Sequence, residues 1–184
     1  MKIIYTPLVL ICFLTLLSCT NQSDSTNVNA RKSPIAISAV QMGDTYLKVV
    51  YGQPQKRGRE IFGNLVPYGE VWRTGANEAT ELTVTKNIEM NGNLVEAGTY
   101  TLFSIPEEDE WTVILNTKLG QWGAFNYDES YDYLRFEIPS EFSETVVESF
   151  TITFSEVTGV ETIMSLAWNQ TRVDIPIRFV EENV

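Results

Sequence analysis

The chain has 184 residues with 24 acidic side chains, 13 basic side chains and no histidine, which gives a formal net charge of −11 at pH 7. This acidic balance argues against nucleic-acid binding and against electrostatic attachment to anionic lipid, because both need clustered lysine and arginine. Without histidine, serine–histidine–aspartate catalysis, cysteine–histidine catalysis and histidine-ligated metal sites are excluded.

The first 19 residues have the order of a bacterial lipoprotein signal. Lys2 precedes an almost wholly apolar run from Ile3 to Leu17, and Ser18 and Cys19 close it. We predict that residues 1–18 are removed and that Cys19 becomes the lipidated first residue of the mature chain. One alternative is an uncut transmembrane anchor, for which the run is shorter than the roughly 20 residues required. The other is an ordinary secretory signal.

This signal predicts a location in the cell envelope, with the lipid as the membrane attachment. Thr20 rather than aspartate follows the cysteine, which favours the outer membrane over the inner membrane. Residues 19–33 are rich in serine, threonine and asparagine and predict a flexible tether with a reach of roughly 20 Å. Residues 34–184 are enough for one domain with a substantial core. Because Cys12 lies in the removed run, that domain has no disulfide.

Beyond Pro34 the dominant hydrophobic period is two, which predicts β-strands. Asn91 and Gly92 predict a tight hairpin turn, and one helical turn is expected at residues 142–147. The fold class predicted is all-β, an antiparallel two-sheet β-sandwich, of which a jelly roll is one form. Strands are predicted at residues 47–51, 82–88, 99–105, 111–116, 134–138, 150–154, 162–168 and 173–179.

The alternation breaks in residues 51–79, which hold five of the chain's 11 glycines. A long irregular segment is usually either functional or folded tightly on itself. The spacing of its glycines does not match a Walker phosphate loop. Two interpretations therefore stay open. In one, arginines pair with glutamates of the same segment and the segment is a structural arch; in the other, it binds a ligand.

The leading functional hypothesis is a binding module for a small polar or anionic ligand or a glycan. Four of the basic residues lie in this segment of an otherwise acidic chain, so an anion would be attracted here. Aromatic side chains would stack on a sugar or an aromatic ligand. The candidate ligand-binding residues are Tyr51, Arg57, Arg59, Trp72, Arg73, Asn77, Glu78 and Trp122.

Two other hypotheses remain. Glu78 is a candidate catalytic residue of a glycosidase-like hydrolase if a second carboxylate lies about 5 Å or about 6.5–9.5 Å away. The chain could otherwise be an accessory subunit of an envelope complex. Asp128 begins a spacing like that of a calcium loop, but Tyr133 and Pro139 stand where the glycine and the bidentate glutamate belong. No metal site and no cofactor are predicted.

A series of short motifs also resembles a known family. The motifs cover nearly everything from Ile37 to Phe179. On them the chain is identified as similar to the domain-of-unknown-function family 2911 (DUF2911), which implies an envelope domain of uncharacterised activity. The motifs are Tyr51-Gly52-x-Pro54, Arg57-Gly58-Arg59, Ile61-Phe62-Gly63, residues 65–69, residues 71–80, Ala97-Gly98-Thr99-Tyr100, Ile105-Pro106, Trp111, Trp122-Gly123, Asp132, Arg135 and Leu166-Ala167-Trp168.

Overall fold

The structure, a computed structural model, describes Met1 and residues 31–180. Cys19 and most of the predicted signal and tether lie outside the described residues. Within residues 31–180, one 3-10 turn occupies Glu129–Tyr131. The strands are β1 Ile35–Met42, β2 Thr45–Gly52, β3 Thr80–Val84, β4 Ile88–Met90, β5 Asn93–Val95, β6 Gly98–Pro106, β7 Glu110–Asn116, β8 Asp132–Pro139, β9 Glu141–Phe154 and β10 Glu161–Phe179.

These strands form two antiparallel sheets, which confirms the predicted fold class. The first sheet has the order β1-β2-β3-β6-β7-β8, and the second has the order β5-β4-β10-β9. The sheets hold six and four strands. The chain leaves the first sheet after β3, forms β4 and β5 in the second sheet and returns as β6 beside β3. The turn between β4 and β5 is the predicted hairpin, with Asn91 at φ 48° and Gly92 at φ 74°.

The prediction of one strand at residues 82–88 is wrong. β3 ends at Val84 in the first sheet, and β4 begins at Ile88 in the second.

Two further stretches of strand differ from the prediction. β1 was not predicted, because its inward side chains include small ones such as Ala36 and Ser38 and give little apolar alternation. The expectation of a helical turn at residues 142–147 is wrong, since these residues belong to β9. Phe142 and Val146 are exposed there, so this half of the strand depends on backbone pairing with β10 and leaves no buried face for the sequence to reveal.

The strand β10 folds back on itself. A straight strand of its 19 residues would span about 60 Å. Yet the Phe179 N–H donates to the Val160 carbonyl at 2.8 Å, and Arg172 Nη2 donates to Ser165 Oγ at 2.9 Å. The two halves of the strand therefore lie side by side. The reversal lies near Asn169, which has φ 55°, a conformation that asparagine tolerates better than most residues.

An aromatic cluster occupies the core between the sheets. The rings of Trp72 and Trp168 stack at 6.0 Å with 17° between their planes, and Trp72 meets Phe150 at 5.0 Å. Phe62 packs edge-on against Trp111 at 4.9 Å. These rings come from both sheets and from the connection between β2 and β3, so they join the three parts into one core.

A second, smaller layer covers the outer face of the first sheet. Phe103 and Ile114 point away from the main core and are fully buried. Val71, Ala124 and other partly buried side chains pack on them. Residues 117–131, which connect β7 to β8, therefore cover the outer face of this sheet, and the site described next lies in this layer.

Candidate functional site

The connection between β2 and β3, residues 53–79, is here called the insert, and it is built into the first sheet. The Trp72 N–H donates to the Ser104 carbonyl at 2.7 Å, and the Ser104 N–H donates to the Trp72 carbonyl at 2.9 Å. β3 begins only at Thr80, so Trp72 pairs with β6 where β3 no longer reaches. This pairing turns Trp72 inward and Val71 and Arg73 outward, because neighbouring side chains of an extended chain alternate.

The insert is also joined to the second sheet and to β2. The Lys56 N–H donates to the Glu148 carbonyl at 2.7 Å, and the Phe150 N–H donates to the Pro54 carbonyl at 2.9 Å. The Ala76 N–H donates to the carbonyl of Gly52 at 3.1 Å. With backbone bonds to both sheets, the insert is an ordered part of the domain.

Three residues of the insert with side chains have positive φ: Arg57 at 50°, Thr74 at 50° and Asn77 at 66°. This conformation is least expected of Thr74, because it is β-branched. Its hydroxyl lies 2.9 Å from Ser104 Oγ, and its carbonyl accepts a 2.7 Å bond from Thr80 Oγ1. Strained backbone of this kind is concentrated at functional sites, and here it adjoins Arg73.

The expectation that Tyr51 and Trp72 offer stacking surfaces is wrong. Tyr51 is 4% exposed and Trp72 is 6% exposed. Both rings contact Phe150, and the Tyr51 hydroxyl accepts from the Ile152 N–H at 3.1 Å. Their faces therefore belong to the core. Of the three proposed stacking residues, Trp122 alone is exposed.

Arg57 and Arg59 donate to main-chain carbonyls. Arg57 Nη2 bonds the Lys32 carbonyl at 3.1 Å, and Arg59 Nε bonds the Lys56 carbonyl at 2.9 Å. Within residues 31–180, no ion pair joins an arginine of the insert to a glutamate of the insert. The interpretation of these arginines as staples to neighbouring glutamates is therefore wrong.

Glu78 is paired with an arginine from outside the insert. Arg31 forms a bidentate contact with its carboxylate, with Nη1 donating to Oε1 at 2.9 Å. The hydrogen bond from Arg31 lowers the pKa of Glu78 below its ordinary value. Glu78 and Glu81 line one pocket of about 230 Å³, so a second carboxylate is nearby. Asn77, the neighbour of Glu78, accepts a 2.8 Å bond from the Gly123 N–H through its carbonyl.

Arg73 lies in a different pocket from Glu78, and within residues 31–180 its side chain has no partner. Its Nε is fully buried without a hydrogen bond, and within the described chain its guanidinium forms no ion pair. Burial lowers the pKa of this guanidinium from its ordinary value. Arg73 lines an open pocket of about 300 Å³ between the insert and the β7–β8 connection. The other lining residues are Leu65, Val66, Pro67, Glu70, Val71, Trp72, Ala124 and Phe125.

The second wall of this pocket was not predicted from the sequence. Ala124 and Phe125 come from the β7–β8 connection, more than 50 positions along the chain from Arg73. This wall is anchored by Tyr127, whose hydroxyl donates to Asp132 Oδ2 at 2.6 Å. Burial raises the pKa of Tyr127 to about 12, so the hydroxyl keeps its proton at neutral pH. Arg135 Nη2 donates to the same hydroxyl at 2.6 Å.

A larger cleft of about 520 Å³ lies on the second sheet. It is lined by Glu89, Glu156, Glu161 and Arg178, among others, and Arg178 already lies 3.6 Å from Glu89. Among the residues that the structure describes, no three acidic or cysteine side chains gather as metal ligands do. Arg178 is the one basic residue that lines this cleft, so the cleft offers no unpaired cation comparable to Arg73.

The fold and the site together define a two-sheet antiparallel β protein with an irregular insert built into its core. Residues 33–177 match the family model described as a protein of unknown function, DUF2911, so the chain belongs to that family. This confirms the resemblance carried by the sequence motifs. None of the curated proteins and none of the solved structures matches the chain. Residues 31–180 contain no helix that could cross a bilayer.

Proposed function

We propose that this protein is a binding module for a small anionic ligand, which it takes into the pocket around Arg73. The observation that carries the proposal is the guanidinium of Arg73, which is half-buried, has an Nε with no hydrogen bond and has no carboxylate partner among residues 31–180. A charge withdrawn from water without a partner destabilises a folded protein. An anionic ligand would supply the missing partner.

The walls of the pocket indicate what else the ligand carries. Leu65, Pro67, Val71 and Phe125 present apolar surface around the arginine. A volume of about 300 Å³ suits a small molecule, at the lower end of the range for ligand pockets. A carboxylate attached to a compact apolar body would use both the charge and the walls, since an arginine fork binds a carboxylate with two parallel hydrogen bonds.

The alternatives receive less support. A general acid at neutral pH needs a raised pKa, whereas the pKa of Glu78 is lowered by Arg31. A glycan site needs exposed aromatic faces, and two of the three aromatic candidates are buried. A purely structural role for Arg73 would require its polar atoms to hold neighbouring groups together, and they make no such bond.

The test is Arg73→Met, which keeps most of the side-chain volume and removes the charge. We expect wild-type protein to bind benzoate with a dissociation constant on the order of 1 mM, about 4 kcal/mol, and Arg73→Met to weaken this binding by about tenfold or more. The variant should be as stable as the wild type or more stable, by up to about 1 kcal/mol, because it removes an unpaired buried charge. Isothermal titration calorimetry measures the benzoate affinity, and thermal unfolding measures the stability.

Matched controls sharpen this test. Arg178→Met removes a surface arginine that is ion-paired with Glu89. It should leave the benzoate affinity and the melting temperature unchanged. Inorganic phosphate, which cannot use the apolar walls, should bind more weakly than benzoate, and N-acetylglucosamine should not compete with it. If Arg73→Met lowers the melting temperature and benzoate binding is absent from the wild type, Arg73 is part of the scaffold and the proposal is wrong.

We also propose that the mature protein begins at a lipidated Cys19 and is held in the cell envelope, with the outer membrane favoured. The support is the order of charge, apolar run and cysteine at the start of the chain. Mass spectrometry of the protein extracted from membranes should give a mature chain starting at Cys19 and carrying acyl groups. An unmodified amino terminus at any other position would contradict this.

A further inference from the structure

Three large apolar side chains protrude from the β7–β8 connection. Leu119, Trp122 and Phe125 are 47%, 59% and 86% exposed, and we call them the apolar patch. Residues 117–127 contain one lysine and no acidic residue, although acidic residues outnumber basic ones by 24 to 13 in the whole chain. Large apolar side chains that are exposed close together along the chain are candidates for an interaction surface.

The backbone holds these side chains out in solvent. The Ala79 N–H donates to the Gln121 carbonyl at 2.9 Å, and the Gly123 N–H donates to the Asn77 carbonyl at 2.8 Å. A Cβ at Gly123 would lie 2.8 Å from a ring carbon of Phe125, so the Phe125 ring lies directly over this glycine. The exposure of the patch is therefore a property of a fixed backbone.

The predicted tether enters the domain beside this patch. Arg31, the first residue of the continuous described chain, is ion-paired with Glu78. Glu78 is in turn the backbone bridge partner of Trp122. Cys19 lies 12 positions before Arg31, and a coil of that length reaches roughly 20 Å. An anchor at Cys19 would therefore keep the Trp122 side of the domain close to the bilayer.

We propose that the apolar patch contacts the lipid bilayer and inserts at its interface, which orients the anchored domain on the membrane. This inference depends on the proposed lipidation of Cys19. Phe125 also lines the Arg73 pocket, but Trp122 does not, so a measurement on Trp122 separates the failure of this inference from the failure of ligand binding. Tryptophan is favoured at the level of the lipid headgroups. There its ring contacts the apolar acyl chains while its N–H forms hydrogen bonds with polar groups. No residue of 117–127 is acidic, but Glu81 accepts a bond from the Gly120 N–H at 3.2 Å, so the bilayer expected here is zwitterionic rather than anionic.

The tryptophans allow a direct test. The chain has four of them, and Trp72, Trp111 and Trp168 are at most 6% exposed. Lipids brominated on the acyl chains quench only indoles that enter the bilayer, so Trp122 alone should respond. Full-length lipidated protein in vesicles of brominated phosphatidylcholine should lose most of its Trp122 emission relative to vesicles of ordinary phosphatidylcholine. Trp122→Phe, which keeps an aromatic ring in the patch, should show no loss.

A matched control moves the indole to the other side of the molecule. Leu94 is 55% exposed on β5 of the second sheet, and its neighbour Val95 points into the core. In the Trp122→Phe background, Leu94→Trp should emit without quenching by brominated lipid. Equal quenching at positions 94 and 122, or none at 122, would overturn the proposal. Shielding of Trp122 from iodide by a second copy of the chain or another protein, without lipid, would overturn it as well.

Discussion

Gly52→Ala is expected to destabilise the domain by about 3 kcal/mol or more. A Cβ at Gly52 would lie 1.9 Å from the Ala76 carbonyl oxygen and 2.9 Å from its carbon. These are backbone atoms, and Ala76 is itself held by a hydrogen bond to the Gly52 carbonyl. The clash can be relieved only by moving the insert away from β2. Urea unfolding followed by tryptophan fluorescence measures the loss.

Gly43→Ala provides the control for the clash at Gly52. Gly43 has φ 58°, and a Cβ at this position would meet no atom within 4 Å. The only cost of alanine at this position is the left-handed backbone conformation, which destabilises the fold by about 1–2 kcal/mol. If Gly52→Ala costs no more than Gly43→Ala, the insert does not pack against β2 as closely as described. A larger loss at Gly52 would instead show that the insert folds together with the sheets.

Trp72→Ala is expected to cost about 3–5 kcal/mol, as other large-to-small changes of buried aromatic residues do. Its ring contacts the rings of Phe62, Trp111, Phe150 and Trp168, which come from the insert and both sheets. Its indole N–H also donates to the Gly75 carbonyl at 3.1 Å. Removing the ring therefore leaves a cavity at the point where the three parts meet. Thermal and urea unfolding measure the effect.

Trp122→Ala is the comparison for this substitution, because the same residue type is exposed there. We expect it to change the free energy of unfolding by about 0.5 kcal/mol or less, as is usual for surface positions. Equal losses for Trp72→Ala and Trp122→Ala would mean that Trp72 is not a core residue. Its assignment as a ligand-stacking side chain would then be open again.

The strands that the sequence predicted are those with one buried face. Val173, Ile175, Ile177 and Phe179 are all buried, and they alternate with more exposed neighbours, so the period of two was visible. The first half of β9 has no such face and was missed. The reversal within β10 was missed as well, although Asn169 is of a residue type common in turns, because the flanking apolar pattern continues across it.

The sequence predicted an irregular insert but not which of its side chains lack partners. The density of glycine and arginine correctly singled out the insert as irregular. Which arginine lacks a partner depends on where main-chain carbonyls lie in space, and the sequence does not contain that information. Trp72 was misassigned because an aromatic residue in an irregular segment gives no sign that it pairs in register with Ser104. Phe125 was missed because a distant segment supplies the facing wall.

The most direct test of the account is the nuclear magnetic resonance signal of the Arg73 Nε–H during a titration with benzoate. Each of the chain's seven arginines gives one such signal, and Arg73→Met identifies the one that belongs to Arg73. We predict that this signal shifts progressively and saturates, while the Arg178 signal stays in place. A titration in which the Arg73 signal does not move, or in which all arginine signals move alike without saturation, would contradict the assignment of this pocket as an anion site.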